Sequence, residues 1–297
     1  MIAIPIIASF FLILYLVYLN KKYKAGSYYM VTKLPYLTVL NDSGRHGEFL
    51  IYKSLKYMEK QGARFLFNVY IPKDNGETTE IDVLMICQKG IIVFESKNYK
   101  GWIFGNENQK NWYQTLPAGK GKSHKEAFYN PIMQNRSHIN HLQRFLGKNI
   151  PMHSVIVFSN DCTLKDIQVY SSDVTWINRC RIAEAVKNIY NISSGSSLSE
   201  NQIEEIYNKL YQYTQVSEGV KIQHRESVKS ASVYSPSTGY AKYSAKANEN
   251  TGNKERVRCP WCNGYLVIRT SKKAGRSNYR FLGCSNYPSC KYTQKTE

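Results

Sequence analysis

Acidic residues are the scarce class in this chain. Its 297 residues hold 22 Asp and Glu against 40 Lys and Arg, a net charge of +18, and more than half of that excess lies beyond residue 220. Such a balance points to polyanionic partners, either nucleic acid or an anionic membrane face. Cysteine is sparse too. Seven in the whole chain, widely scattered, exclude a secreted disulfide scaffold. Cys87, Cys162 and Cys180 stand alone and read as unremarkable thiols. Residues 2–19 carry no charge, and no Lys or Arg precedes them. Lacking a basic leader and a small-x-small site after the apolar run, the segment is not a cleaved signal peptide. Global disorder is excluded by the 42% hydrophobic content, which supports a folded core.

The uncharged run has the roughly 20 residues that a helix needs to cross a bilayer. Pro5 falls in its first turn, where a missing N–H does little harm. Lys21, Lys22 and Lys24 follow at once. By the positive-inside bias, residues 1–20 are expected to form a single-pass anchor in the cell membrane, with the N-terminus outside and the rest cytoplasmic. Residues 21–40 read as a juxtamembrane linker.

A folded domain is expected over 41–214. Helical spacing of Leu50, Ile51, Leu55 and Met58 predicts a helix from about 44 to 61. Short runs rich in Ile and Val predict strands at 64–71, 80–87 and 90–97, with a turn at 88–90. Further strands are expected at 102–105, 112–116, 155–159 and 169–174, with a basic Gly-rich loop at 118–125. Helices are expected at about 131–146, 179–190 and 199–213. The class is α/β, with one helix ahead of the sheet.

Within this frame Asp82 lies early in one strand, while Glu95 and Lys97 end the next on a shared face. A hairpin turning at Gln88 and Lys89 brings Asp82 near Glu95. Two carboxylates and a lysine at a buried strand end demand partners. Mg²⁺ (or Mn²⁺) on the carboxylates, with Lys97 beside an attacking water, satisfies all three. On its own the pattern is also that of a solvated salt bridge. Glu48 at the start of the preceding helix and Gln134 near the start of a later one weigh toward chemistry. His46, His138 and His141 lie close by but read as packing or surface groups.

The ordered set Gly44-x-x-Gly47-Glu48, Glu80-Ile81-Asp82, Gly90–Lys97 and Asn130-Pro131-x-x-Gln134-Asn135 resembles the nuclease-related domain (NERD) family. That family is similar to the restriction-endonuclease-like PD-(D/E)xK nucleases. The resemblance covers about 40–160 and implies a mixed sheet flanked by helices. It implies Asp82, Glu95 and Lys97 as the acid-acid-lysine core, Glu48 as a further metal ligand and Gln134 as a helix-borne group near the phosphate.

Residues 215–254, rich in Ser, Lys, Asn, Gly and Tyr, read as a flexible linker. Beyond it, Cys259 and Cys262 pair across a tight turn, and Cys284 and Cys290 form a second pair. This is the pattern of a Cys₄ Zn²⁺ site in a small ribbon over 255–297, a unit that needs metal to fold. Strands are expected at 265–269 and 279–283. The sequence from Cys259-Pro260-x-Cys262 to Cys290 resembles the C-terminal zinc fingers of type IA topoisomerases, which implies DNA binding, single-stranded at the ribbon. Trp261 and Tyr287 offer stacking faces, and Arg258, Arg269, Lys272, Lys273, Arg276 and Arg280 offer phosphate contacts. The expected function is a membrane-anchored, Mg²⁺-dependent deoxyribonuclease. The alternative is a catalytically inactive DNA-binding tether.

Overall fold

The computed structural model describes residues 3–119, 121–147, 149–192, 197–233, 259, 265–270, 280–285, 287, 290 and 292–295. They fall into two compact units, Met1–His224 and Arg225–Glu297.

The first unit opens with α1 (Ala3–Lys24), α2 (Ser27–Thr32), α3 (Tyr36–Asn41) and α4 (Ser43–Leu55). From Phe11 to Tyr18 the large side chains described on α1 are exposed. Among the described residues no helix is long and apolar enough to cross a membrane, so the expected spanning helix is not found there. The segment expected as a linker, 21–40, is instead structured. Tyr28, Val31 and Val39 on α2 and α3 are buried in the main core, because α2 packs on the first strand of the sheet and α3 packs on α4.

A five-stranded mixed sheet forms the centre, in the order β1-β2-β3-β7-β9. Its strands are β1 (Arg64–Pro72), β2 (Thr78–Cys87), β3 (Gly90–Lys97), β7 (Met152–Phe158) and β9 (Val174–Asn178). In β3, Gly90 through Phe94 are buried in succession, as expected of a central strand covered on both faces. A second sheet, ordered β6-β5-β4-β8, comprises β4 (Gly101–Asn106), β5 (Asn111–Pro117), β6 (Ser123–Tyr129) and β8 (Cys162–Gln168). The parallel pair β3 and β7 runs on directly into the parallel pair β4 and β8. The basic loop expected at 118–125 is therefore partly strand: β6 pairs with β5 from Ser123 to Tyr129. The strand expected at 169–174 is replaced by β8 before it and β9 after it.

Helix α5 (Pro131–Leu146) lies against β3 and β7. Its start is set by Asn130, whose side-chain oxygen accepts from the N–H groups of Ile132 and Met133. The same amide donates to the carbonyls of Glu107 and Gln109. Pro131 follows at a position where no N–H is needed. Helices α6 (Ile182–Ile192) and α7 (Glu200–Tyr211) complete the core, and α8 (Glu218–Val233) occupies the first part of the expected linker. Polar residues alone do not prevent a helix there: Thr78 and His224 tie its early turns to β2.

In the second unit β10 (Leu266–Thr270), β11 (Arg280–Cys284) and β12 (Thr293–Lys295) form a three-stranded antiparallel sheet.

Candidate active site and zinc ribbon

Hairpin register brings the first two acids together. Val83 pairs with Phe94, so the next positions outward, Asp82 and Glu95, face one another across the ladder. An Asp82 carboxylate oxygen accepts the Ser96 backbone N–H at 2.8 Å. Glu95, 1% exposed, takes the Lys97 ammonium on Oε1 at 2.7 Å. That ammonium also donates to Oε1 of Gln134 at 3.0 Å, so α5 delivers Gln134 directly to the lysine. Asn135, one residue on, donates to the Val93 carbonyl and to Ser154 Oγ and thereby pins α5 to β3 and β7. Asp82, Lys97 and Gln134 are only partly buried and form the open side of the cluster.

Glu48 enters from α4. The helix can approach the end of β3 because residue 47 is Gly: a Cβ there would stand 2.6 Å from Ser96 Oγ and 3.0 Å from Asn98 Cβ. Glu48 is buried, and its Oε2 accepts from Asn68 Nδ2 at 2.8 Å and from the Tyr28 hydroxyl at 3.3 Å. Asn68 has a left-handed backbone, φ 50°, at the point where the β1–β2 ladder skips a pair opposite Asp82. Glu48 also lines a polar cleft of about 190 Å³ with Arg45, Asn68, Tyr70, Glu80 and Lys221.

Two contacts were not legible in the sequence. His138, expected as a packing group, places Nε2 at 3.2 Å from the second Glu95 oxygen, while its Nδ1 lies 2.7 Å from Thr79 Oγ1. The Nε2 contact is at ion-pair distance but without hydrogen-bond geometry, so Oε2 of Glu95 stays unsatisfied. The available signal was spacing: His138 sits one helical turn after Gln134. Asn68 gave no signal beyond a polar residue interrupting an apolar strand.

Burial and crowded charge set the protonation states. Burial pushes the Glu48 carboxyl up to about 8, despite the Asn68 amide. Burial, with the charges of Glu95 and Glu48, holds Asp82 well above the ordinary carboxylate range. Burial raises Glu95 too, but Lys97 and His138 outweigh it and hold that carboxyl low. Burial disfavours the Lys97 cation, yet Glu95, Tyr99 and Asp82 keep its pKa above normal. Glu95 is thus the charged partner of Lys97, while Glu48 and Asp82 are held protonated and could each give up a proton to a cation. All-oxygen donors and an unsatisfied carboxylate oxygen suit a hard divalent cation. They are not drawn into a tight triad. Among the described residues the only three His, Cys, Asp or Glu donor atoms within 4.8 Å of one another belong to Cys259, Cys284 and Cys290.

In that cysteine cluster the Cys259 and Cys290 sulfurs lie 3.7 Å apart and all three residues are buried. Cys284 ends β11, with its N–H bonded to the Tyr292 carbonyl. Three thiols at these positions suit Zn²⁺. Cys262, the expected fourth ligand, lies outside the described residues, as do Arg258, Trp261, Lys272, Lys273 and Arg276. Arg280 opens β11, and its side chain is likewise outside them. Arg269 donates to the Cys284 carbonyl at 3.1 Å, and its guanidinium sits 5.5 Å from the centre of the Tyr287 ring. Of this expected phosphate contact, at least part serves the cysteine turn. Tyr287 is 59% exposed.

Residues 43–159 match the nuclease-related domain, and residues 256–297 match the topoisomerase DNA-binding C4 zinc finger. An uncharacterized protein of Bacillus anthracis is 26% identical over 181 residues, which are 61% of this chain and 81% of that protein. DNA topoisomerase 1 of Archaeoglobus fulgidus is 47% identical over 55 residues, 18% of this chain and 8% of that protein. The likeness to the topoisomerase is thus confined to a small part of its length. No solved structure gives a significant match.

Proposed function

We propose, for a chain that carries a nuclease-related domain and a topoisomerase-type C4 zinc ribbon, that it hydrolyses DNA phosphodiester bonds with a divalent cation while the ribbon holds the DNA. The observation that carries this reading is the cluster of Glu48, Asp82, Glu95 and Lys97, in which Glu95 is ion-paired and two further carboxyls are held protonated for want of a cation. Asp82, Glu95 and Glu48 would hold Mg²⁺ or Mn²⁺. When bound, such an ion polarises a phosphate and lowers the pKa of water.

The chain's own residues do the rest. Glu48 and Asp82 must release protons as they take up a cation, which couples binding to pH. Lys97 stays protonated, so it donates to the attacking water or to a phosphate oxygen and does not accept a proton. With its oxygen engaged by Lys97, Gln134 has N–H donors to offer the phosphate. In the ribbon, Zn²⁺ on Cys259, Cys284, Cys290 and Cys262 would fix the turn that displays Tyr287 for stacking on single-stranded DNA.

Attachment of the N-terminal segment to a membrane belongs to the same reading. Its support is the uncharged run 2–19, the exposed apolar side chains after residue 10 and the lysines that follow. By that bias the remaining domains are cytoplasmic.

A second reading keeps the DNA-binding role and removes turnover. It is favoured by the lock of Lys97 between Glu95 and Gln134, and by carboxylates not gathered into a preformed triad. A cleavage assay on single-stranded, duplex and branched DNA, with and without Mg²⁺ or Mn²⁺, separates the two. Metal-dependent cutting that Asp82→Ala and Lys97→Ala abolish supports hydrolysis. Equal cutting by wild type and variants rejects it, and metal-independent binding without cutting assigns the tether.

A further inference from the structure

One face of the second sheet displays aromatic rings and lysines. On one side Ile103, Trp112, Leu164 and Ile167 pack into a core. The opposite side is fixed by strand register. Trp102 stands across from Thr115, which stands across from Lys125. Phe104 stands across from Tyr113, and Tyr113 from Ala127. Trp102 is 51% exposed and Tyr129 38%. Two lysines lie over these rings: Lys125 Nζ is 4.0 Å from the Tyr113 ring centre, and Lys165 Nζ is 5.6 Å from that of Trp102. Asp166 is the carboxylate that register places beside Phe104.

We infer that this face of β4, β5, β6 and β8 is a binding platform for single-stranded nucleic acid, with bases on Trp102 and Tyr113 and phosphates on Lys125 and Lys165. Flat aromatic rings exposed on a sheet accept unstacked bases of any sequence, and a paired duplex buries the base faces they need. Each lysine now satisfied by a ring can turn to a phosphate when a base takes the ring, so the cation is retained and an ion pair is gained. The lysines match a polyanion, whereas a second copy of the same face would set like charges against each other. Position supports the same occupant. β4 begins four residues after Lys97, so Trp102, five residues on, lies at most ~18 Å along the chain from the proposed cleavage site. The inference deepens the DNA-processing reading and rests on it for the identity of the strand, while its test needs no cleavage.

The full chain in detergent, with no Mg²⁺ or Mn²⁺ added, is mixed with a fluorescein-labelled thymidine 20-mer, with its duplex, and with a 20-mer carrying 5-iododeoxyuridine for photocrosslinking. Crosslinks are expected in the peptides holding Trp102 and Tyr113. Trp102→Ala is expected to weaken single-strand binding about tenfold and duplex binding less. Lys125→Glu with Lys165→Glu is expected to flatten the salt dependence. The crosslink map on wild type decides even if a variant misfolds. Crosslinks confined to the ribbon, with variants that bind as wild type does, overturn the inference. Binding of the face to anionic vesicles, lost in Trp102→Ala while DNA affinity is kept, overturns it in favour of lipid. A wild type that crosslinks here yet never cuts DNA leaves the platform standing and rejects the nuclease reading alone.

Discussion

Glu48→Gln is the perturbation whose outcome the structure fixes most tightly. The glutamate is 7% exposed, and its carboxyl is pushed from the usual 4.5 up to about 8. Between those two values the folded protein keeps a proton that the unfolded chain has released. Stability therefore falls as pH rises through this window and levels off above about 8. Each pH unit is worth ~1.4 kcal/mol, so the loss reaches about 3 kcal/mol at pH 7 and about 5 kcal/mol above pH 8. Glutamine keeps an acceptor for the Asn68 amide and the Tyr28 hydroxyl but never ionises. Wild type and variant are expected to be equally stable near pH 5. At pH 7 the variant gains about 3 kcal/mol, or roughly 6–12 °C in Tm for a domain of this size. Thermal melts from pH 5 to 8.5 would show the two curves diverge, and Mn²⁺ at pH 8 would raise the wild-type Tm more than the variant's. Parallel curves, or a variant less stable throughout, would refute the reasoning and place Glu48 as an ordinary solvated anion.

Other tests address the surrounding frame. Gly47→Ala forces a methyl against Ser96 and Asn98 and should cost about 1–3 kcal/mol in urea unfolding, as α4 backs away from β3. His138→Leu removes the group facing Glu95 Oε2 and should weaken Mn²⁺ binding about tenfold by calorimetry, with partial recovery in His138→Gln. Stripping zinc with a strong chelator should abolish DNA binding by the ribbon, and refilling with Co²⁺ should give thiolate charge-transfer bands. Absence of those bands would show that Cys259, Cys284 and Cys290 do not share an ion.

Local signals carried much of this molecule. β3 was legible to the residue, because a run of Ile, Val and Phe closed by Glu-Ser-Lys can only be a central strand ending at a polar rim. So was α5, whose Asn130-Pro131 start caps and opens a helix from neighbours in sequence. The order of acids and lysine along the chain, and the paired cysteines, were likewise written in the sequence. What it hid were relations between distant segments. The helices within 21–40 gain their stability by burying Tyr28 and Val31 of α2 against β1 and Val39 of α3 in the same core beside α4, partners that local composition does not reveal. β6 is an edge strand whose first four residues are polar, and their place is set by pairing with β5. His138 and Asn68 meet the acids, and Thr79 meets His138, only because register and helix packing carry them there. Sequence alone determined which groups the chain can bring to chemistry. Tertiary structure alone decided which of them meet, how deeply each is buried and therefore which hold protons, since desolvation and neighbouring charge are properties of places and not of residues.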